Sequence, residues 1–190
     1  VRGEKAGRCA IVLTALFLGA AGAQTEDRVK VCGSCHGADG VSQTAGVPSL
    51  AGQPKTFLEN YLVLTREGIA GTEVMRGLLK GVPDKDISAL AKHFSGLPPK
   101  GFSGPVDKSL FNKGKQVAAK NRCGSCHLPD FRGRDQMPRL AGQREEYLAE
   151  QMLAYRQNKR PGGDTIMAAQ LYGIPESDLK ALAHYLSRLR

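Results

Sequence analysis

Cys32-Gly33-Ser34-Cys35-His36 occurs a second time, residue for residue, as Cys123-Gly124-Ser125-Cys126-His127. A Cys-x-x-Cys-His run has the chemistry of a covalent c-type haem site: two thiols add to the porphyrin vinyl groups, and the adjacent imidazole lies under the ring to ligate iron. Cys32, Cys35, Cys123 and Cys126 are therefore the expected attachment points of two haem c groups, with His36 and His127 as fifth iron ligands.

The chain has 190 residues, so two sites imply halves of about 80 to 90 residues each, a size at which burial is marginal without a staple. A covalent haem is such a staple, because a small helical core can close over its apolar face. Hydrophobic content is ordinary and aromatic residues are few, which argues against a polytopic membrane protein.

Residues 1–23 read as an export signal. Arg2, Lys5 and Arg8 make a basic n-region, Cys9 to Gly22 an apolar core, and Ala21-Gly22-Ala23 a cleavage site, so the mature chain is expected to begin at Gln24. An uncleaved anchor is the competing reading, but the apolar run is shorter than the ~20 residues needed to span a bilayer. A lipoprotein signal is disfavoured because Cys9 precedes the apolar run. Of the five cysteines, one leaves with the signal and four serve two haems. None remains for a disulfide or a catalytic thiol, and the expected compartment is oxidising and extracytoplasmic.

The net charge of +9 falls to +7 without Arg2, Lys5, Arg8 and Glu4. Residues 24–100 hold nine basic and eight acidic side chains, whereas 101–190 hold fifteen and nine. Haem propionates offset part of this surplus, and an exported protein rarely meets nucleic acid, so no nucleic-acid role is expected. Lys108, Lys113, Lys115, Lys120 and Arg122 form either a collar for an acidic protein partner or a solvated helix face.

The halves share more than the haem runs. Pro48-Ser49-Leu50-Ala51-Gly52-Gln53 matches Pro138-Arg139-Leu140-Ala141-Gly142-Gln143 at an offset of 90, and the Pro83 to Ala91 stretch matches Pro175 to Ala183 at 92. Pro and Gly concentrate between the halves. The expected organisation is a first unit over 24–97, a linker over 98–106 and a second unit over 107–190. Within each unit the pattern is helical: first helices over Thr25 to Cys32 and Asp107 to Cys123, middle helices over Thr56 to Arg66 and Glu145 to Asn158, and last helices after Pro83 and Pro175, where Asp84 and Ser177 can cap. No alternating strand pattern competes.

The sixth iron ligand separates electron transfer from catalysis. Met75 maps to Met167 at the offset of 92, each in an expected loop after the middle helix and four residues ahead of Leu79 or Leu171. Met137 has Val47 as its counterpart and reads as loop or haem-edge packing, and Met152 reads as core. His93 and His184 compete for the ligand role, but they are not equivalent positions and read as surface cations near helix ends. The carbonyls of Pro48 and Pro138 are candidate acceptors for the other ring N–H of His36 and His127.

With these residues in view the chain resembles the di-haem cytochrome c4 family, within the class I cytochromes c, over essentially all of the mature sequence. The resemblance rests on both Cys-x-x-Cys-His runs, both Pro-x-Leu-Ala-Gly-Gln runs, Met75 and Met167, and both terminal Asp-(Ile/Leu)-x-x-Leu-Ala segments. It implies an all-α protein of two tandem cytochrome c domains, and a periplasmic electron carrier serving a terminal oxidase. The second half fits better: Gln151-Met152 and Lys159-Arg160 approximate the family's Gln-Leu and Gly-x-Arg pattern, where the first half has Tyr61-Leu62 and, in the loop ahead of Met75, Gly68-Ile69-Ala70-Gly71.

The leading expectation is a non-enzymatic carrier. It accepts electrons from a quinol-oxidising cytochrome complex or a dehydrogenase, delivers them to a terminal oxidase, and associates with the membrane at most peripherally. The alternative is the di-haem subunit of a periplasmic dehydrogenase. A catalytic haem protein would need an open axial site or a spare cysteine ligand, and both methionines argue against it.

Overall fold

The computed structural model describes residues 19–190 except Phe102, with side chains from Thr25 onward. The expected signal segment lies outside the described residues up to residue 18, and the backbone of 19–23 opens the first helix. Among the described residues there are nine helices and no strand, only an isolated bridge between Arg134 and Met137. The first half holds α1 (Gly19–His36), α2 (Lys55–Arg66), α3 (Glu73–Leu79) and α4 (Asp84–Gly96). The second holds α5 (Lys108–Lys120), α6 (Gly124–His127), α7 (Glu145–Arg156), α8 (Thr165–Leu171) and α9 (Glu176–Ser187).

The amphipathic spacing is realised in burial. Leu58 of α2 closes on Leu90, Ala91 and Phe94 of α4, and Leu79 and Ile87 join Val82 beside them. In the second half Leu148 and Met152 of α7 meet Leu179, Leu182, Ala183 and Leu186 of α9. No buried apolar cluster crosses from one half to the other among the described residues. First and last helices of each half are also pinned by equivalent acids: Arg28 to Asp86 at 3.4 Å and Lys113 to Asp178 at 3.2 Å. Where α5 crosses α9, Gly114 lets the backbones touch, since a Cβ there would sit 2.6 Å from that of Tyr185.

Several expectations change. The first helix does not stop at Cys32 but carries the whole haem run to His36. The second copy breaks instead. Asn121 Nδ2 donates to the carbonyl of Val117 at 2.8 Å, Arg122 turns to φ 51°, and α6 restarts the helix at Gly124. Asp84 and Ser177 do not cap, because Pro83 and Pro175 hold the N-cap positions without side-chain bonds and Asp84 is taken by Arg66 at 2.6 Å.

His184 is no surface cation: it is 4% exposed. Its Nε2 accepts from the N–H of Asp107 at 3.0 Å and its Nδ1 lies 3.1 Å from Glu145, so the ring ties the start of α5 to α7. The expected linker is held as well. Lys100 pairs with Asp39 at 2.7 Å, and Arg188 donates to the carbonyl of Pro105 at 3.0 Å.

Candidate functional site

Each Cys-x-x-Cys-His run ends a helical segment, and the histidine is drawn inward while the second cysteine stays exposed. His36 and His127 are buried, and their Nδ1 atoms lie 2.8 Å and 3.0 Å from the carbonyls of Pro48 and Pro138. A carbonyl only accepts, so Nδ1 carries the proton and Nε2 keeps its lone pair. Burial pushes both imidazoles below the usual histidine range, opposed by the proline carbonyls. A neutral ring with a fixed tautomer and an unengaged Nε2 is what a metal-ligating histidine requires.

The cysteines do not resemble a redox dithiol. Such a pair needs a depressed thiol pKa at a helix N-terminus. Here burial pushes Cys32 and Cys123 up, and the first pair lies in the last turns of α1. All four are free of disulfides. Attachment to a porphyrin uses the thiols once and leaves no need for a poised thiolate.

Met75 and Met167 sit in short helices rather than in the expected loops. Thr72 and Asp164 cap α3 and α8, accepting from the N–H groups of Met75 at 3.4 Å and of Met167 at 3.1 Å. Both methionines are half-buried, and each packs against the core of its own half. Leu79 and Leu171, one turn on, are the buried anchors that set their orientation. Met152 is core as expected, at 5% exposure, and Met137 lies in its loop. His93 is exposed and stacks edge-on against Phe94, away from any ligand role.

Sequence reasoning noted Arg160 only as part of a motif. In the structure its guanidinium lies 4.6 Å from the ring centre of Tyr155 and 5.7 Å from that of Tyr61. The Tyr147 hydroxyl is enclosed beside it, and burial pushes that phenol up to about 12. The Nε of Arg160 is buried with no hydrogen-bond partner among the described residues. A half-buried guanidinium with an enclosed, idle Nε donor calls for an anion, and a haem propionate meets that requirement. The donor set and this idle donor both fit a covalent haem.

Two helical units, each with its own attachment run, tethered histidine and capped methionine, define a di-haem c-type cytochrome. The cytochrome c family pattern matches residues 111–190. Cytochrome c4 of Stutzerimonas stutzeri is 33% identical over 184 residues, covering 86% of this chain and 87% of that protein. The crystal structure of reduced recombinant cytochrome c4 from Pseudomonas stutzeri superposes with a TM-score of 0.79 at 30% identity, over 88% of this chain and 98% of that one. The thiosulfate dehydrogenase electron acceptor of Thiomonas intermedia is 29% identical, covering 82% and 77%. The chain belongs to the cytochrome c4 family: it is an all-α electron carrier with two covalent haem c groups.

Proposed function

We propose that residues 24–97 and 107–190 are two cytochrome c units joined by 98–106. Cys32 and Cys35 attach the first haem and Cys123 and Cys126 the second, with His36 and Met75, and His127 and Met167, as axial ligands. The observation that carries this reading is the equivalence of both sites: each histidine is tethered to the carbonyl of a Pro-x-Leu-Ala-Gly-Gln loop, and each methionine occupies the first turn of a capped helix.

The bound haem supplies a one-electron iron couple. The protein's part is to hold that couple still. Cys32, Cys35, Cys123 and Cys126 would hold the two rings, the carbonyls of Pro48 and Pro138 fix the imidazoles of His36 and His127, and the thioethers of Met75 and Met167 would favour the reduced iron and keep oxygen from it. Arg160 would offset propionate charge inside the protein.

The role we propose is a periplasmic carrier, exported by residues 1–23, between a quinol-oxidising complex or a dehydrogenase and a terminal oxidase. Among the described residues no helix is long and apolar enough to cross a membrane, which suits a carrier that meets its partners by diffusion. Redox titration of the purified protein is expected to give two high-potential one-electron steps, with a methionine-to-iron charge-transfer band for each haem in the ferric spectrum. A low-potential step, or a haem lacking the band, overturns the ligand assignment there.

A second reading is favoured by the Thiomonas intermedia relative, whose name makes it an acceptor for a dehydrogenase. In that case this chain takes electrons directly from a periplasmic dehydrogenase. Isolation of the native protein with a large catalytic subunit supports this reading, and isolation alone supports the free carrier.

A further inference from the structure

The repeated Pro-x-Leu-Ala-Gly-Gln loops meet each other across the two halves. Gln143 of the second accepts from the N–H of Ser49 at 2.8 Å and donates to the Ser49 carbonyl at 2.9 Å. Gln53 of the first accepts from the N–H of Arg139 at 2.9 Å and donates to the Arg139 carbonyl at 2.9 Å. Ser49 and Arg139 are equivalent positions, as are the two glutamines, so the contact is reciprocal, like an isologous interface. Gln53 is 5% exposed and Gln143 4%, and the cavity among Ser49, Gln53, Arg139 and Gln143 is only about 10 Å³. That is room for at most about one water, and at 2.8 to 2.9 Å the four bonds are direct.

The peptide that each glutamine grips is the one that holds the opposite histidine. The carbonyl accepting from His36 belongs to the Pro48–Ser49 peptide, whose N–H goes to Gln143. The carbonyl accepting from His127 belongs to the Pro138–Arg139 peptide, whose N–H goes to Gln53. A peptide group is a conjugated unit. An acceptor on its N–H moves charge onto its oxygen and strengthens the bond that oxygen accepts. A stronger bond to Nδ1–H makes the imidazole a better donor at Nε2, which favours ferric iron and lowers the potential.

We propose that Gln143 and Gln53 are crossed positioning residues: each sets the reduction potential of the haem in the unit to which it does not belong. The packing of the two units and the potentials of both haems are then one property. A partner that parts the loops raises the potentials together. This rests on the axial assignment of His36 and His127 proposed above.

The test uses the holoprotein with Gln143→Leu and Gln53→Leu, which leave net charge unchanged. Gln143→Leu is expected to raise the potential of the haem on His36 by about threefold in its reduction equilibrium, about 28 mV at 59 mV per tenfold. It is also expected to move the His36 Nδ1–H resonance of the reduced protein upfield, with the His127 signal little changed. Gln53→Leu mirrors the pattern on His127. Shifts confined to the substituted unit, equal shifts at both haems, or none overturn the proposal.

Arg144→Lys separates polarisation from loosened packing. It replaces the guanidinium whose Nη1 donates to the carbonyl of Ser42 at 3.2 Å across the same interface, and leaves both glutamines in place. If it reproduces the shifts, packing is their cause and the proposal falls. Should Gln143→Leu fail to fold, Gln143→Glu keeps the acceptor and is expected to move the His36 resonance downfield, an upfield move overturning the idea. The methionine–iron bands of the wild type are read first. Their absence defeats the ligand assignment beneath the proposal, whereas bands present with unmoved resonances defeat the crossed glutamines alone.

Discussion

Leu128 sits at φ 69°, ψ 157°, a conformation left almost entirely to glycine. Its counterpart after the first haem run is Gly37, at φ 87°, and the pair repeats three residues on, with Phe131 at φ 57° against Gly40 at φ 72°. Phe131 is compensated by burial beside Tyr185, ring centres 5.9 Å apart, but Leu128 is only half-buried. Such backbone costs about 1–3 kcal/mol, and glycine's unfolded-state entropy returns about 0.5–1 of it. Leu128→Gly is therefore expected to raise stability by about 1 kcal/mol, seen as a higher urea midpoint of the holoprotein at unchanged slope. Tyr147 gives the opposite kind of liability. Its folded pKa is raised to about 12 from 10, so the unfolded chain releases this proton first and stability is lost as pH rises from about 10 towards 12. Urea midpoints across that range are expected to fall less steeply for Tyr147→Phe, the difference between the proteins being at most about 1.4 kcal/mol per pH unit.

Short helices carry Met75 and Met167, the proposed sixth ligands. Asp164 accepts from Ile166 N–H at 2.7 Å as well as from Met167, so it fixes the turn on which the proposed ligand stands. Asp164→Ala is expected to cost about 0.5–2 kcal/mol and to lower the temperature at which the second haem loses its methionine–iron band, leaving the first unchanged. The long helices were legible from their apolar spacing, and the two cysteine pairs proposed for attachment stand out by their motif alone. α3 and α8 were not, because seven residues are too few to carry a helical period. What betrayed them was the Met75-to-Leu79 and Met167-to-Leu171 interval, one helical turn whose far end is buried. The break in α5 was equally hidden, since Asn121 and Arg122 carry no glycine or proline to announce it. His184 misled for the reverse reason. Its place in the last turn of α9 suggested a solvated cation, while its partners Glu145 and Asp107 lie 39 and 77 residues away in sequence.

The two halves of the chain are similar in sequence and unequal in charge. The repeat made the duplication readable, but not the meeting of its two glutamines, because a matched motif does not say whether its copies face each other. The surplus of positive charge lies in the second half, where Lys108, Lys113, Lys115, Lys120 and Arg122 are all exposed on and just beyond α5. Lys113 already spends part of its charge on Asp178, within the fold. Among the described residues Lys115 and Lys120 form no such pair, so they report on an external partner without disturbing the α5–α9 contact. Charges of this kind steer encounter more than they hold a complex, and salt screens them beyond about 8–10 Å. Lys115→Glu with Lys120→Glu is therefore expected to slow electron delivery to an acidic redox partner several-fold at low ionic strength and to flatten the dependence of the rate on salt, with both potentials and the urea midpoint unmoved. Stopped-flow oxidation across a salt series checks this. An unchanged rate and slope would return the collar to an ordinary solvated helix face and move the docking site to the less charged first half.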